Sequence, residues 1–144
     1  MLKNGDIKYC FLNDIDNVIP IVQTVYKWQE EQWGSEGVII FAGAIKTVVA
    51  IKDKKVIGCA ALVRCDLKTY QFYFPWLAGV YVTPEERNSG VATNLIWKIV
   101  EAAKDLGYKD LYLYSKLVSF YENKGWECVS QIPNTTEFVM HKEL

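Results

Sequence analysis

The sequence predicts an α+β fold (α/β three-layer) in which helices flank a mixed, mostly antiparallel central sheet of about six or seven strands. Residues 76–82 form a continuous apolar run, which is typical of a strand buried on both faces. Residues 91–106 repeat apolar side chains three or four positions apart, as an amphipathic helix does. Short β-rich runs bounded by turn residues fill much of the rest. The chain of 144 residues has the usual size of one domain, and we predict a single domain over residues 1–144.

The first third of the chain predicts a strand followed by a long helix. Ile7–Leu12 has strand character, and the Asn and Asp residues of 13–16 are good helix N-caps. Apolar positions that fall largely three or four apart then predict a helix over Ile15–Trp33, which Gly34 can end. Ser35–Ile45 fits either a helix or a loop.

The middle of the chain predicts the centre of the sheet. Thr47–Ile51 and Lys55–Arg64 are β-rich runs joined by a short polar turn, which indicates an antiparallel hairpin. A loop rich in polar and aromatic residues, Cys65–Pro75, leads from this hairpin to the buried strand Trp76–Val82.

The last part of the chain predicts a parallel strand pair and three short elements. The helix that follows the buried strand ends at Gly107, and Lys109–Tyr114 is the next strand, so strand, helix and strand compose one βαβ unit. The remaining predicted elements are a short helix over Leu117–Lys124 and strands over Trp126–Ser130 and Thr136–His141.

Composition and charge exclude several classes of protein. Since 51% of the residues are hydrophobic, the chain is not a disordered tail or linker. The formal net charge is -1 and no basic stripe is interrupted by aromatic residues, so no nucleic-acid partner is predicted. No segment approaches the roughly 20 apolar residues needed to cross a bilayer, and the first residues lack the pattern of a secretory leader. We therefore predict a cytoplasmic protein with no membrane partner.

The cysteines are predicted to be reduced core residues. They form no Cys-x-x-Cys pair and no cluster with His, Asp or Glu, so neither a disulfide framework nor a metal site is predicted. A nucleophilic role for Cys59 or Cys128 is the weaker interpretation, because no histidine neighbours either in sequence. The four cysteines are Cys10, Cys59, Cys65 and Cys128.

The junction between the buried strand and the second helix is the strongest candidate binding site. Small residues at the start of this helix leave several backbone N–H groups unpaired. A pyrophosphate there accepts these N–H groups and meets the positive end of the helix dipole. Gly90 lets the backbone approach the anion, and Arg87 adds positive charge. An ordinary loop with a capping Ser or Asn is the alternative, since short Gly motifs are common.

Two segments, in order along the chain, resemble motifs of the GNAT-family N-acetyltransferases. Leu77–Ala92 is similar to the family's apolar strand, Pro-containing turn and Arg/Gln-x-x-Gly-x-Gly/Ala loop. Ser119–Trp126, with the sequence SFYENKGW, is similar to the family's Phe-Tyr-x-x-x-Gly-Phe/Trp element. The resemblance covers about Trp76–Trp126. It implies a GNAT-like acyl-CoA acyltransferase fold, acetyl-CoA (coenzyme A) as co-substrate and no metal.

The resemblance also implies which residues bind the cofactor. Main-chain groups at the end of the buried strand would pair with the pantetheine amides, and the following loop would hold the pyrophosphate. The chain departs from the family's frequent pattern at Asn88 and at Ala92, where Gly is frequent in the family. It departs also at Ser115–Leu117, where many relatives carry an Asn that helps to hold the pantetheine arm. The implied cofactor-binding residues are Val80, Tyr81, Val82, Arg87, Asn88, Ser89, Gly90, Val91, Ala92 and Thr93.

Acyl transfer to an amine needs a base for the amine, donors for the oxyanion and an acid for the departing thiolate. Tyr121 resembles the family's thiolate-protonating tyrosine, and its alternative role is that of an aromatic core residue. The base is not assigned by the sequence, and a water relay is an equal alternative. Glu30 and Glu31 are more simply the solvated face of a helix. The residues considered as the base are Glu30, Glu31, Asp66, Tyr73, Glu137 and His141.

The acceptor is predicted to be a small-molecule primary amine or an amino acid derivative. The aromatic loop Tyr70–Trp76, with Trp28 and Trp33, either forms a wall of the acceptor pocket or packs in the core. A non-catalytic acyl-CoA-binding module and a protein-amine acetyltransferase are the alternative functions. Whether the chain forms a homodimer is left open by the sequence.

Overall fold

The computed structural model describes residues 6–144, which form a seven-stranded sheet with helices on both faces. Each predicted strand is present within about two residues of its predicted bounds, and the strand at 76–82 has the predicted bounds. The strands are β1 Ile7–Phe11, β2 Lys46–Lys52, β3 Lys55–Val63, β4 Trp76–Val82, β5 Asp110–Ser115, β6 Glu127–Gln131 and β7 Phe138–Glu143. The α-helices are α1 Ile19–Ala42, α2 Val91–Asp105 and α3 Val118–Glu122, and 3-10 turns cover Leu12–Asp14, Lys68–Tyr70 and Pro84–Glu86.

The sheet has the strand order β1-β2-β3-β4-β5-β7-β6. The β2–β3 hairpin is antiparallel as predicted, and β4 and β5 are parallel neighbours linked through α2. All other neighbouring strands in residues 6–144 are antiparallel. The predicted class, a mixed and mostly antiparallel sheet flanked by helices, is therefore confirmed.

The core divides into two clusters, one on each face of the sheet. Alternate residues of the central strands point to opposite faces, so Val48 and Val49 belong to different clusters although they are neighbours in β2. On one face, Leu95 and Ile99 of α2 are fully buried against the sheet. On the other face, Val25 of α1 is fully buried. Burial of each such side chain contributes roughly 1.5–3 kcal/mol of transfer free energy.

The first helix differs from the prediction at its start but not at Gly34. Residues 12–16 form a 3-10 turn and a bend, and α1 begins at Ile19 without a side-chain cap, so the predicted start at Ile15 is wrong. Pro20 lies in the first turn, where its missing N–H has no helical partner to lose. At the other end, Gly34 has the non-helical angles φ 72° and ψ -170°, so residues 19–42 are two helices that meet at a kink, and the predicted end of the first one at Gly34 is confirmed. The segment that the sequence left open, 35–42, is helical.

The cysteine prediction is confirmed at one position and wrong at another. Cys59 is fully buried, and burial raises the pKa of its thiol to about 12, so it is a protonated core residue. Cys128 is exposed, although it lies in a strand as expected. The physical reason is that β6 is the last strand of the sheet and most of its side chains face solvent.

Within residues 6–144, no helix is long and apolar enough to cross a bilayer.

Candidate active site

A cavity of about 1530 Å³ opens where β4 and β5 separate. The two strands are parallel but pair at one position, Trp76 with Tyr112, and their remaining residues diverge. Residues of α1 and residues at the start of α2 both line the cavity. Because these helices pack on opposite faces of the sheet, the cavity reaches both faces through the gap between the strands.

One end of the cavity is formed by the loop before α2 and by the first turn of that helix. Gly90 is the N-cap residue of α2, and no side chain caps the first turn. Gly90 has φ 89°, which favours glycine, and a Cβ atom there would meet nothing within 4 Å. The first N–H groups of α2 therefore face an open approach with the positive helix end behind them. This geometry does not support the alternative of a loop with a capping Ser or Asn.

The predicted residues of the loop differ in whether they line the cavity. Ser89 does not line the cavity, and its Oγ donates a 2.6 Å hydrogen bond to the Glu86 carbonyl. Glu86 also pairs with Lys52, whose Nζ lies 3.1 Å from the carboxylate, and this ion pair ties the loop to β2. Six of the predicted residues of the loop and helix line the cavity: Arg87, Asn88, Gly90, Val91, Ala92 and Thr93.

Arg87 links this loop to the end of β4. Its Nε donates a 2.8 Å hydrogen bond to the Val82 carbonyl, and its guanidinium carbon lies 5.5 Å from the centre of the Tyr81 ring. The Val82 carbonyl therefore already has a partner. Val80, Tyr81 and Val82 all line the cavity, and their predicted main-chain contacts with a cofactor stay predictions. Arg87 is oriented by two contacts and holds its charge beside the loop.

Tyr121 of α3 lies on the wall of the cavity, between its two ends. Its ring packs edge-on against Phe120 and Trp126, with centroid distances of 5.0 and 6.0 Å. Burial raises the pKa of the hydroxyl to about 12, so the hydroxyl keeps its proton at neutral pH. The predicted catalytic residue thus combines core packing with a protonated oxygen at the cavity.

The other end of the cavity contains two carboxyl groups from distant parts of the chain. Asp66 follows β3 and Glu137 precedes β7, and both line the cavity. Among the ion pairs of residues 6–144, none involves either carboxyl. Burial, and secondly the charge of Glu137, raise the pKa of Asp66 to about 7. Asp66 can therefore gain or lose a proton near neutral pH.

Tyr114, at the end of β5, lies between these carboxyls and a third one. The pKa of its hydroxyl is raised to about 12 by burial and then by the charges of Asp66, Glu137 and Glu36. Glu36 also lines the cavity but pairs with Lys68 across 3.6 Å, and both side chains are mostly exposed. The carboxyls that remain unpaired at this end are Asp66 and Glu137.

The structure separates the remaining candidate bases from the cavity. Glu30 and Glu31 are exposed on α1 and do not line it, as the solvated-face interpretation predicts. Tyr73 stacks on Tyr112 with 4.4 Å between ring centres and is also outside the lining. His141 contacts the Asp110 carboxylate at 2.7 Å, near the far end of β5 from the strand gap. Of the residues considered, only Asp66 and Glu137 share the cavity with Tyr121.

The aromatic residues expected at an acceptor pocket have divided roles. Trp33 and Phe74 line the cavity and remain about half exposed. Trp28 instead packs against Tyr81, with 4.9 Å between ring centres, and Trp76 is fully buried in the core. Part of the aromatic set therefore packs in the core and part lines the cavity, and its role in acceptor binding stays a prediction.

Sequence reasoning missed Gln29 and Tyr114. Gln29 is buried in α1, lines the cavity and donates a 3.0 Å hydrogen bond from Nε2 to the Gly79 carbonyl in β4. One signal for it was present, because Gln29 falls on the helical face of Val22 and Val25, a polar residue within an apolar stripe. Tyr114 gave no such signal, since its neighbours at the cavity come from segments far away in sequence.

The chain was compared with protein-family models and with curated proteins. The family model of the acetyltransferase (GNAT) domain matches residues 6–129. No curated protein matches the sequence significantly.

Solved structures similar to this chain share its fold at low sequence identity. An acyl-CoA N-acyltransferase from Pseudomonas aeruginosa is 15% identical with a TM-score of 0.74, covering 95% of this chain and 99% of that one. A GNAT family acetyltransferase from Elizabethkingia anophelis with acetyl-CoA bound is 16% identical with a TM-score of 0.73, covering 96% and 99%. The PaiA N-acetyltransferase from Thermoplasma acidophilum in complex with coenzyme A is 18% identical with a TM-score of 0.65, covering 97% and 100%.

Proposed function

The chain belongs to the GNAT acetyltransferase family, and from this premise we propose that it transfers an acetyl group from acetyl-CoA to a primary amine of a small molecule or amino acid derivative. Family membership supports acyl transfer from an acyl-CoA, and the proposal adds the acetyl donor and the amine acceptor. Both substrates would be bound together, and transfer would be direct. The observation that carries the proposal is a single cavity with an uncapped helix start at one end and an unpaired carboxyl pair at the other.

The loop before α2 fits the pyrophosphate of coenzyme A. The uncapped first turn offers N–H donors, the open side of Gly90 allows close approach, and Arg87 supplies charge. The pantetheine arm would lie in the gap between β4 and β5, where Val80 and Tyr81 line the cavity. The thioester would then lie near Tyr121 and between the two ends of the cavity. Solved structures of similar fold that contain coenzyme A or acetyl-CoA support this assignment.

Asp66 is the group that we assign to accept the amine proton. A primary amine is mostly protonated at neutral pH, with a pKa near 10.4 for a lysine-like group, and it attacks only as the neutral base. Asp66 lies at the end of the cavity away from the cofactor loop, and its pKa of about 7 suits a base at neutral pH. The charge of Glu137 raises the basicity of Asp66 and attracts the ammonium group.

Tyr121 would complete the reaction by supplying a proton to the leaving group. The neutral amine forms a bond to the thioester carbon, and the tetrahedral species then collapses with cleavage of the carbon–sulfur bond and loss of one proton from its positively charged nitrogen. The departing thiolate accepts the proton of the Tyr121 hydroxyl, whose raised pKa keeps it protonated until then. That nitrogen proton returns the tyrosine to its neutral form through solvent or bound groups, and the proton that Asp66 accepted from the ammonium is released to solvent.

A titration with acetyl-CoA followed by an acceptor screen tests this function. Purified protein is titrated calorimetrically with acetyl-CoA and is then incubated with acetyl-CoA and small amines, amino acid amides and a lysine peptide, with release of free thiol as the readout. Each amine is paired with its alcohol analogue as a matched control. We expect saturable binding and thiol release with small amines but not with alcohols.

The other outcomes of the screen separate the alternative functions. Thiol release confined to the lysine peptide would indicate a protein-amine acetyltransferase. Saturable binding without transfer to any amine would indicate a non-catalytic acyl-CoA-binding module. Absence of acetyl-CoA binding would overturn the proposed donor.

A further inference from the structure

Gln29 is the most deeply buried polar side chain of the cavity wall. It is 1% exposed, although it lies in the middle of α1 and carries an amide. A buried amide is unfavourable unless it is hydrogen-bonded, and here Nε2 donates to the Gly79 carbonyl at 3.0 Å. The same Nε2 lies 3.5 Å from Cys59 Sγ, and the Cys59 thiol in turn lies 3.5 Å from the Gly79 carbonyl. Two side chains from different elements therefore converge on one backbone oxygen.

That oxygen belongs to an irregularity in β4. Cys59 of β3 pairs with Tyr81, but Ala61 pairs with Ala78, so β4 carries one extra residue between these pairs. Gly79 lies in this bulge with φ 65°. A Cβ atom there would lie 2.8 Å from the Phe41 ring and 2.9 Å from Gln29 Oε1, so the site accepts only glycine without rearrangement. The bulge is thus built jointly by β4 and α1.

The bulge controls the direction of a backbone donor at the cavity. The carbonyl of Gly79 and the N–H of Val80 belong to one planar trans peptide and point in opposite directions. The hydrogen bond from Gln29 therefore fixes the direction of the Val80 N–H as well. Gly79 and Val80 both line the cavity, next to the gap where the thioester would lie. A fixed backbone N–H is the kind of group that stabilises a developing oxyanion.

We infer that Gln29 is a positioning residue for acyl transfer, which holds the bulge of β4 so that the peptide between Gly79 and Val80 presents its N–H to the reacting carbonyl. This inference rests on the proposed acyl transfer. It assigns no contact between Gln29 and the reacting atoms. Its effect is on the rate of the chemical step, because an unconstrained peptide would have to be reoriented in each catalytic cycle.

The test compares Gln29→Leu with Gln29→Glu and with the control Gln23→Leu. Leucine removes the donor, and Gln23→Leu makes the same change at an exposed position of α1 outside the cavity. Loss of a single oxyanion donor lowers kcat roughly 10²–10³-fold, whereas Gln29→Leu keeps the Val80 N–H and only releases it from its fixed direction. We therefore expect Gln29→Leu to lower kcat about 10- to 100-fold. Acetyl-CoA affinity should stay within about twofold of the wild type, and Gln23→Leu should behave as the wild type.

The Gln29→Glu variant gives a readout that a purely structural role would not change. A glutamic acid can donate to the Gly79 carbonyl only while it is protonated, and its pKa is expected to be raised by burial. We therefore expect the ratio of variant to wild-type kcat to be highest at low pH and to fall as pH rises. For Gln29→Leu the ratio should be constant with pH. All rates are measured well below the thermal midpoint of each variant, so that loss of folding does not contribute.

Hydrogen exchange at the Val80 amide provides a measure that is independent of the acceptor. Faster exchange at Val80 in Gln29→Leu, but not in Gln23→Leu, is the expected result. A wild-type kcat in Gln29→Leu, unchanged Val80 exchange, or identical pH ratios for the Leu and Glu variants would each overturn the inference. Wild-type protein without turnover on any amine would instead overturn the proposed function, and the exchange result would still decide whether Gln29 holds the bulge.

Discussion

The two ends of the cavity are built in different ways. The end proposed to bind the cofactor uses backbone N–H groups and small residues that are contiguous in sequence, from Arg87 to Thr93. The end proposed to bind the acceptor uses side chains from three separate segments, represented by Asp66, Tyr114 and Glu137. A backbone site binds a chemical group that is common to all acyl-CoA molecules, whereas a side-chain site can differ from one protein to the next on the same fold. The comparison explains why the donor class is easier to infer than the acceptor.

The largest expected effect is at the cofactor end. Gly90→Glu would place a negative, bulky side chain in the open approach to the first turn of α2, where the pyrophosphate is proposed to bind. We expect acetyl-CoA affinity to fall at least about 100-fold, because a donor-rich site becomes repulsive. Calorimetric titration measures the change.

Gly107→Glu is the matched control for this variant. Gly107 has φ 90° and Gly90 has φ 89°, and a Cβ atom at either position would meet nothing within 4 Å. The backbone strain of the two substitutions is therefore similar, while Gly107 follows the opposite end of α2. Equal affinity losses in the two variants would contradict a pyrophosphate site at Gly90.

At the acceptor end, Asp66→Asn should remove a base. Wild-type kcat/KM is expected to rise with pH through about 7, as Asp66 loses its proton. The Asn variant should lose about 10²-fold in rate at pH 8 and should no longer show this step. Burial and secondly the Glu137 charge raise the Asp66 pKa, so Glu137→Gln should keep the step but move it to lower pH, because the second cause is gone. pH–rate profiles with a fixed amine measure both changes.

Asp105→Asn controls for the loss of a carboxylate elsewhere, since Asp105 is exposed at the end of α2 and outside the cavity. It should leave the profile unchanged. A step at pH 7 that persists in Asp66→Asn would exclude Asp66 as the base and favour a water relay.

Between the two ends, Tyr121→Phe should affect turnover more than binding. Phenylalanine keeps the packing against Phe120 and Trp126 but lacks the proton that the thiolate would accept. We expect kcat to fall about 10- to 100-fold and acetyl-CoA affinity to change less than about twofold. Tyr26→Phe, at a tyrosine outside this cavity, is the control. Unchanged turnover in Tyr121→Phe would leave Tyr121 with a packing role only.

The smallest expected effect is on stability. Folding raises the pKa of Asp66 from 3.8 to about 7. The stability of the folded protein therefore falls as pH rises from about 4 to about 7. Above pH 7 the cost of the buried Asp66 charge is complete. Asp66→Asn should therefore raise Tm at pH 8 by a few degrees, with little change at pH 4. Thermal unfolding followed by circular dichroism measures Tm. A lower Tm at pH 8 would show that the charged form of Asp66 is stabilised in the folded protein.

The sequence predicted those parts of the molecule whose signals are local. The apolar run at 76–82 and the stripe of α2 each lie in one segment, and both appear with nearly the predicted bounds. Gly90 was identified for the same reason, because a glycine between a strand and a helix marks a helix start. The start of α1 was predicted wrongly since two local signals competed, the Asn and Asp residues of 13–16 and Pro20. Rules based on neighbouring residues do not tell which of two competing helix-start signals prevails.

By itself, the sequence determined the fold class, the family and the segment proposed to hold the cofactor, since periodicity and short motifs are properties of contiguous residues. Only the tertiary structure decided that Asp66 and Glu137 share a cavity while Glu30 and His141 do not. Only the tertiary structure, too, joined Gln29 to the bulge at Gly79, 50 residues away. The physical reason is that a pKa, a cavity wall or a hydrogen bond across a sheet depends on distances between segments that the order of residues along the chain does not contain.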